Sequence, residues 1–284
     1  MEDPAFAKIN LTLEVLGRRD DGYHEVKTIL QTVDLADRLD IQPAPALLVE
    51  CNDPALNGED NLVWQAAAAL AESRNIEPKA RIFIEKRIPI GMGLGGGSSD
   101  AAAALIALNQ LWGLSLSVQK LAEVAAGVGS DVPFFLWGGA ALAQGRGEQI
   151  KPLPPLPPAP VLIICPNDTI PGKTGRLYSR LTSAHYSDGG ITCRTLKNWM
   201  AGQPVVDSVG NVFEEVVSRE FPGLEQLYRR VEELSAARPH LSGAGPALFC
   251  LPSSEEEHQR IAKALQPYDV KAYLVHTTGG NPRP

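Results

Sequence analysis

No apolar run in this sequence approaches the roughly 20 residues that a membrane-spanning helix needs, so nothing in it reads as a transmembrane segment. Cysteine is scarce: Cys51, Cys165, Cys193 and Cys250 lie far apart with no C-x-x-C pair, which excludes a zinc ribbon or dithiol centre and fits free thiols in a reducing compartment. The five histidines show no metal-ligand spacing, so no protein-held metal is expected. There is no basic excess either. The formal net charge of −7 argues against nucleic-acid binding, but an anionic small molecule could still be held by backbone amides and a few placed lysines. The start, Met-Glu-Asp-Pro, is acidic with no long apolar core after it, so no signal peptide is expected. A hydrophobic content of 44% and a charged content of 21% are those of a globular protein, expected to be soluble and cytoplasmic with no membrane partner; oligomeric state is left open.

Glycine, by contrast, is concentrated. Five glycines, Gly91, Gly93, Gly95, Gly96 and Gly97, fall within seven residues, followed by Ser98, Ser99 and Asp100. Arg81 to Ile88 before them alternates as a strand, and Ala101 to Trp112 after them has helical composition. Glycines let several amide N–H groups point into one concavity, and a helix N-terminus adds unpaired N–H groups and the positive end of its dipole. Ser98 or Ser99 is the expected helix cap. Strand, glycine loop and helix start together make a phosphate site. Two commoner phosphate motifs fail. Gly91, Gly93 and Gly96 fit G-x-G-x-x-G, but no strand ending in an acid follows at the required distance. Gly172-Lys173-Thr174 looks like the end of a P-loop, but its first glycine position holds Asn167.

Along the rest of the chain, strands are expected at Ala5–Leu16, Val26–Val33, Arg38–Ile41, Ala140–Gln144, Val161–Cys165, Ala247–Leu251 and Val270–Val275. Helices are expected at Asn61–Ser73, Val118–Ala126, Lys173–Leu181, Thr195–Met200, Val212–Ser218, Leu224–Ser235 and Ser254–Leu265, with a short one around Pro133 closed by Gly138-Gly139. Six of the nine residues from Pro152 to Pro160 are proline, which marks a stiff linker and a domain boundary. The mixed, partly segregated order of elements indicates an α+β protein of two domains, residues 1–151 and 161–284 joined by 152–160.

Three segments in order carry a family resemblance: Ala7-Lys8-Ile9-Asn10-Leu11, Gly93-Leu94-Gly95-Gly96-Gly97-Ser98-Ser99 and Leu241-Ser242-Gly243-Ala244-Gly245. They resemble the three motifs of the GHMP superfamily of small-molecule kinases, over about Ala7 to Val275. Phe6 replaces a usual proline and Ala244 a common hydroxyl residue, and neither change removes a backbone donor. Arg18-Arg19-Asp20-Asp21-Gly22-Tyr23-His24 and Gly129-Ser130-Asp131-Val132-Pro133-Phe134 resemble one branch of that superfamily, which phosphorylates the 2-hydroxyl of a methylerythritol carrying a cytidine diphosphate moiety in the non-mevalonate route to isoprenoids.

The resemblance implies a two-domain GHMP kinase fold with the active site in the cleft between the domains, and ATP and Mg²⁺ as cofactors. It makes Asp131 the catalytic base and Lys8 its partner at the reacting oxygen, whereas spacing alone reads Asp131 as a helix cap. Gly91 and Gly93 to Ser99, Leu94 included, would wrap the triphosphate, with Ser98 or Ser99 towards Mg²⁺ and Asn61 on the adenosine side or as a plain cap. Asn10, Tyr23, His24, Tyr178, Ser242, Gly243 and Gly245 would bind the phosphoryl acceptor, the aromatic groups reading cytosine. Asp100 is expected to point away from the phosphates or towards the metal. The alternatives are a kinase of the homoserine or mevalonate type, which Tyr23 and His24 argue against, and a non-catalytic nucleotide sensor, which need not keep both Lys8 and Asp131.

Overall fold

A computed structural model describes residues 2–167, 170, 172–221, 223–234, 238–251 and 254–279. Strand β1 (Glu2–Arg18) pairs antiparallel with β2 (His24–Gln42) across the charged turn. β1 alternates strictly. Ala7, Ile9, Leu11, Leu13 and Val15 are buried apolar residues, while Lys8, Asn10, Thr12 and Glu14 are buried polar ones. β2 runs through Asp34–Asp37 without a break, so the two strands expected there are one. β3 (Leu48–Cys51), α1 (Leu62–Ser73), β4 (Arg81–Glu85), α2 (Gly96–Leu111), α3 (Val118–Val128), α4 (Val132–Trp137), β5 (Ala140–Gly145) and β6 (Gln149–Pro152) follow. α1 and α2 meet through small side chains, among them Ala66, Ala67, Ala101, Ala104 and Ala107, which lets them pack closely over the sheet.

The second part contains β7 (Pro160–Pro166), α5 (Lys173–Arg180), α6 (Gly190–Met200), β8 (Gly210–Asn211), α7 (Leu224–Leu234), β9 (His240–Leu241), β10 (Leu248–Cys250), α8 (Glu255–Leu265) and β11 (Val270–His276). The helix expected at Val212–Ser218 is instead two short 3₁₀ turns, Val212–Glu215 and Val217–Arg219, started by the Asn211 side chain accepting from the Phe213 N–H. Ser235, the expected end of α7, lies outside the described residues.

Two sheets result. The larger runs β3-β4-β2-β1-β8, with β5 on β2 and β6 on β5; the smaller runs β11-β7-β10-β9. β8 reaches across from the second part to pair in parallel with β1, Thr12 opposite Gly210 and Leu13 opposite Asn211. The Glu14 carboxylate accepts from the Thr192 and Ile191 N–H groups at the start of α6. One core is shared: Ile9, Ile29 and Leu94 pack with Ile163, Trp199 and Phe249. The proline-rich segment, which we propose as the domain boundary, packs Leu153 and Leu156 against that core and accepts the Trp199 indole N–H at Pro154. It is a fitted strap more than a loose tether.

Candidate active site

The glycine loop crosses the seam between the two parts. Leu94 accepts from the Lys8 N–H on β1 at 2.9 Å, and Met92 accepts from the Ala247 N–H ahead of β10 at 3.2 Å. The loop residues Gly91, Gly93 and Gly95 all have positive φ, between 72° and 82°. Gly95, left-handed, is the N-cap of α2 and offers no side-chain hydrogen bond. The expected cap at Ser98 or Ser99 is therefore corrected: both serines lie inside the first turn. The N–H groups of Gly96, Gly97 and Ser98 have no intrahelical acceptor and border an open cleft, so the position a capping side chain would occupy is left to an anion.

That cleft has a volume of about 1120 Å³ and is lined by Gly91, Gly93 to Ser98, Lys8, Asn10, Asp131, Tyr23, His24 and Tyr178 among others. Three residues expected at the site stand behind its wall. Ser99 is buried in α2, Gly245 faces Leu241, and the Ser242 hydroxyl donates to the Gly93 carbonyl at 3.0 Å, bracing the loop from behind. Gly243 does reach the wall, where an added Cβ would meet Lys8 Nζ at 3.0 Å. Asn61 also borders the cleft, but its side chain is engaged locally, accepting from the Val63 N–H and donating to the Leu56 carbonyl.

Lys8 is 3% exposed, and its ammonium donates to Asn10 Oδ1 at 2.6 Å and to the Gly93 carbonyl at 2.7 Å. Asn10 in turn donates to Thr28 Oγ1 at 2.9 Å, which fixes the orientation of its amide. Burial lowers the pKa of Lys8, and the Asp131 carboxylate at 3.8 Å opposes that shift. Asp131 occupies the N-cap position of α4, yet its side chain makes no capping hydrogen bond. The plain-cap reading of this residue thus fails on geometry, and the carboxylate is left free to face Lys8 and the cleft.

Asp100 borders the cleft and is held there by an ion pair. It is buried and pairs with Lys86 at 2.7 Å; Lys86 also pairs with Asp37, whose other oxygen accepts from the Arg87 and Ile88 N–H groups. Burial disfavours the Lys86 charge, but the Asp100 and Asp37 carboxylates outweigh it and raise its pKa. Burial pushes Asp100 up to about 7 against the pull of Lys86. One of its oxygens, Oδ1, is buried without a hydrogen-bond partner. Mg²⁺ takes oxygen ligands and usually keeps several waters and substrate phosphates. The Ser98 hydroxyl and the spare Asp100 oxygen suit an ion carried in by a nucleotide; among the described residues no group of three or more His, Cys, Asp or Glu could hold a metal alone.

At the other end of the cleft His24 stacks on Tyr178, with ring centroids 5.0 Å apart and 28° between planes. Tyr186 and Phe213 meet these rings edge-on. Burial and the nearby Arg18 charge lower the His24 pKa, favouring a neutral imidazole that can both donate and accept. Tyr23 is 52% exposed, and the Arg146 guanidinium lies over its ring at 4.8 Å. Sequence reasoning missed Arg146, Thr28, Lys86 and Lys173. Arg146 carried a local signal in its position between two glycines in the β5–β6 turn, and Lys173 one in the rejected Gly-Lys-Thr pattern; Thr28 and Lys86 reach the site through contacts distant in sequence.

Comparison with known proteins agrees with this geometry. The model of the GHMP kinases N terminal domain matches residues 61–139, and that of the GHMP kinases C terminal matches 196–269. A 4-diphosphocytidyl-2-C-methyl-D-erythritol kinase of Dehalococcoides mccartyi is 40% identical over 274 residues, covering 96% of each chain. A crystal structure of a 4-(cytidine 5'-diphospho)-2C-methyl-D-erythritol kinase superposes with a TM-score of 0.81 at 36% identity, over 99% of this chain and 100% of that one. The homoserine kinase of Cytophaga hutchinsonii superposes at 0.75 with 20% identity, over 98% of this chain and 94% of that one, and shares the fold. Identity of this extent over nearly the whole chain, on a fold whose glycine loop, lysine and carboxylate meet in one cleft, makes this protein a member of the GHMP kinases.

Proposed function

We infer that this chain is an ATP-dependent kinase that phosphorylates the 2-hydroxyl of 4-diphosphocytidyl-2-C-methyl-D-erythritol. The observation that carries the reading is the placement of Lys8 and Asp131 between the open N-terminus of α2 and the ring cluster of His24 and Tyr178. The nucleotide's phosphates lie on the amides of Gly96, Gly97 and Ser98, and its adenosine extends along Asn61 and Leu62. The cytidylyl group lies against Tyr23, His24 and Tyr178, with Arg146 beside it. This arrangement leaves the acceptor hydroxyl over Lys8 and Asp131.

Asp131 takes the hydroxyl proton as the oxygen attacks the γ-phosphorus in line, and the bond to the bridging oxygen breaks to release ADP. Lys8, held by Asn10 and the Gly93 carbonyl, stabilises the negative charge growing on the attacking oxygen. Ser98 and Asp100 would hold a Mg²⁺ ion carried in by the nucleotide, which would supply charge neutralisation at the phosphates. Water is limited on the acceptor side by the apolar rings of Tyr178 and Phe213.

ADP release with 4-diphosphocytidyl-2-C-methyl-D-erythritol, homoserine and mevalonate offered separately tests the reading. Turnover on the first alone is expected. Turnover on another acceptor would keep the kinase and discard the cytidine site; nucleotide binding without turnover on any would favour a sensor. Tyr23→Ala is expected to weaken the cytidylyl substrate by about 1–3 kcal/mol, as loss of base stacking does elsewhere. Because Tyr23 is half exposed, its melting temperature should barely move. An unchanged Michaelis constant for the cytidylyl substrate would remove Tyr23 from the base site.

A further inference from the structure

Lys173 opens helix α5 behind the left-handed Gly172 and is only 6% exposed, although it borders the cleft. Among the described residues its ammonium has one acceptor, the Ala244 carbonyl at 3.3 Å, which is long for a charged donor. Among the described residues no carboxylate lies within ion-pair distance of it. The other two buried lysines of the cleft are compensated: Lys8 faces Asp131, and Lys86 sits between Asp37 and Asp100. An uncompensated buried cation on the wall of a cleft is a poor structural element and a good receptor for an anion from outside.

We propose that Lys173 is a phosphate-binding residue of this cleft, whose side-chain amine takes up a proton from solvent as an anionic substrate arrives and, as the ammonium so formed, pairs with a phosphoryl oxygen of that substrate. The identity of the anions rests on the kinase reading: they are the nucleotide's phosphates or the cytidine diphosphate of the acceptor. Burial, and secondarily the positive Lys8, lower the Lys173 pKa to about 7 in the empty cleft. The charged and titratable groups lining the cleft with it are Lys8 and Arg18 on β1, Tyr23 and His24 at the start of β2, Asp60, Lys86, Asp100 on α2, Asp131 at α4, Arg146 in the β5–β6 turn, Tyr178 on its own helix and Tyr186. No carboxylate among the described residues pairs with Lys173, so none of them restores its proton at neutral pH. A phosphate does.

The sign of the pH effect follows. Between about 7 and 10.5 the unfolded chain holds a proton that the native lysine has shed, so stability rises with pH across that window through this group and the full penalty remains below it. Lys173→Met removes the penalty, and the variant is expected to melt at least about 2 °C higher than the parent at pH 7. A residue kept only to brace Ala244 would not become more stable on removal.

The deciding experiment is titration calorimetry at about pH 8 in two buffers of different ionisation enthalpy, with Mg²⁺ and a non-hydrolysable ATP analogue in one arm and cytidine diphosphate in the other. The parent protein is expected to take up roughly half to one proton with one of these ligands. Lys173→Met should lose that uptake and bind the same ligand roughly 10–100-fold more weakly, leaving the other unchanged. The arm that responds names the phosphate. Lys173→Arg, charged at every pH, should bind that ligand without uptake, which decides the matter if the Met variant does not fold. Ligand binding by the parent with no proton uptake in either arm, or equal uptake and affinity in Lys173→Met, would overturn the proposal and leave the kinase reading standing. Failure of the parent to bind either ligand would take down both.

Discussion

Asp131→Asn is expected to lower turnover by roughly 10²–10⁴ while leaving nucleotide affinity within about threefold. The substitution is nearly isosteric. The Asp131 side chain makes no capping hydrogen bond to α4, so the helix loses no cap and stability should move by less than about 0.5 kcal/mol. What is lost is the proton acceptor and the carboxylate facing Lys8 at 3.8 Å. Without that carboxylate the burial of Lys8 acts unopposed, and its pKa falls further below the usual lysine value. Residual activity should then decline at a lower pH on the alkaline side than in the parent, because Lys8 loses its proton earlier. Single-turnover rates and nucleotide binding, measured over pH, separate the two effects. A variant that loses nucleotide binding in proportion to turnover would show that Asp131 shapes the pocket instead of taking the proton.

Gly93→Ala should be the most damaging single-methyl change in the protein. The added carbon would stand 2.2 Å from the Ser242 carbonyl oxygen and 2.9 Å from the Gly245 nitrogen, at a φ of +82°. Both neighbours are backbone, so no rotamer change relieves the contact and the two loops must part. Parting them withdraws the Gly93 carbonyl from the Lys8 ammonium and from the Ser242 hydroxyl. A loss of roughly 3–4 kcal/mol of stability is expected, read by denaturant titration, with activity below about 1% of the parent in whatever remains folded. Gly97→Ala is the informative contrast. Its Cβ would meet only Leu62 Cδ1 at 3.6 Å, and helix α2 should gain up to about 1 kcal/mol from alanine. Yet the methyl enters the space over the loop amides, so the Michaelis constant for ATP should rise. Equal stability in the two variants would mean that the close approach of Gly93 to the third motif is wrong; unchanged ATP kinetics in Gly97→Ala would mean that phosphates do not lie on this turn.

Much of the site was legible because its chemistry is local. The glycine run needs consecutive residues to point its amides one way, and the alternation of β1 places Lys8 and Asn10 on one face whatever surrounds them. The start of α2 was misread for a physical reason: the usual signal for a helix start is a capping side chain, and here a glycine leaves the cap to the ligand. Asp100 was unreadable because it is set by Asp37 on β2 and Lys86 just after β4, both distant from it in sequence. Lys173 was set aside with the failed P-loop pattern. That rejection was sound as to spacing, but the residue's place in the cleft depends on how α5 docks. β8 was invisible since two residues carry no periodicity, and the continuous β2 was split in two because polar residues interrupt its alternation.

The pairing of β1 with β8 has a consequence for how the protein is made. The strand bearing Lys8 leaves the ribosome well before its parallel neighbour, Gly210–Asn211, which lies about 200 residues further along the chain. At roughly 5–20 residues per second, the catalytic strand waits on the order of ten seconds or more for its last partner. Until then β1 has an open flank, and Glu14, Asn10 and Lys8 lack the surroundings that make their burial tolerable. A nascent chain that has not yet reached Asn211 is therefore expected to be aggregation-prone, and the cleft is not assembled until that segment has been made.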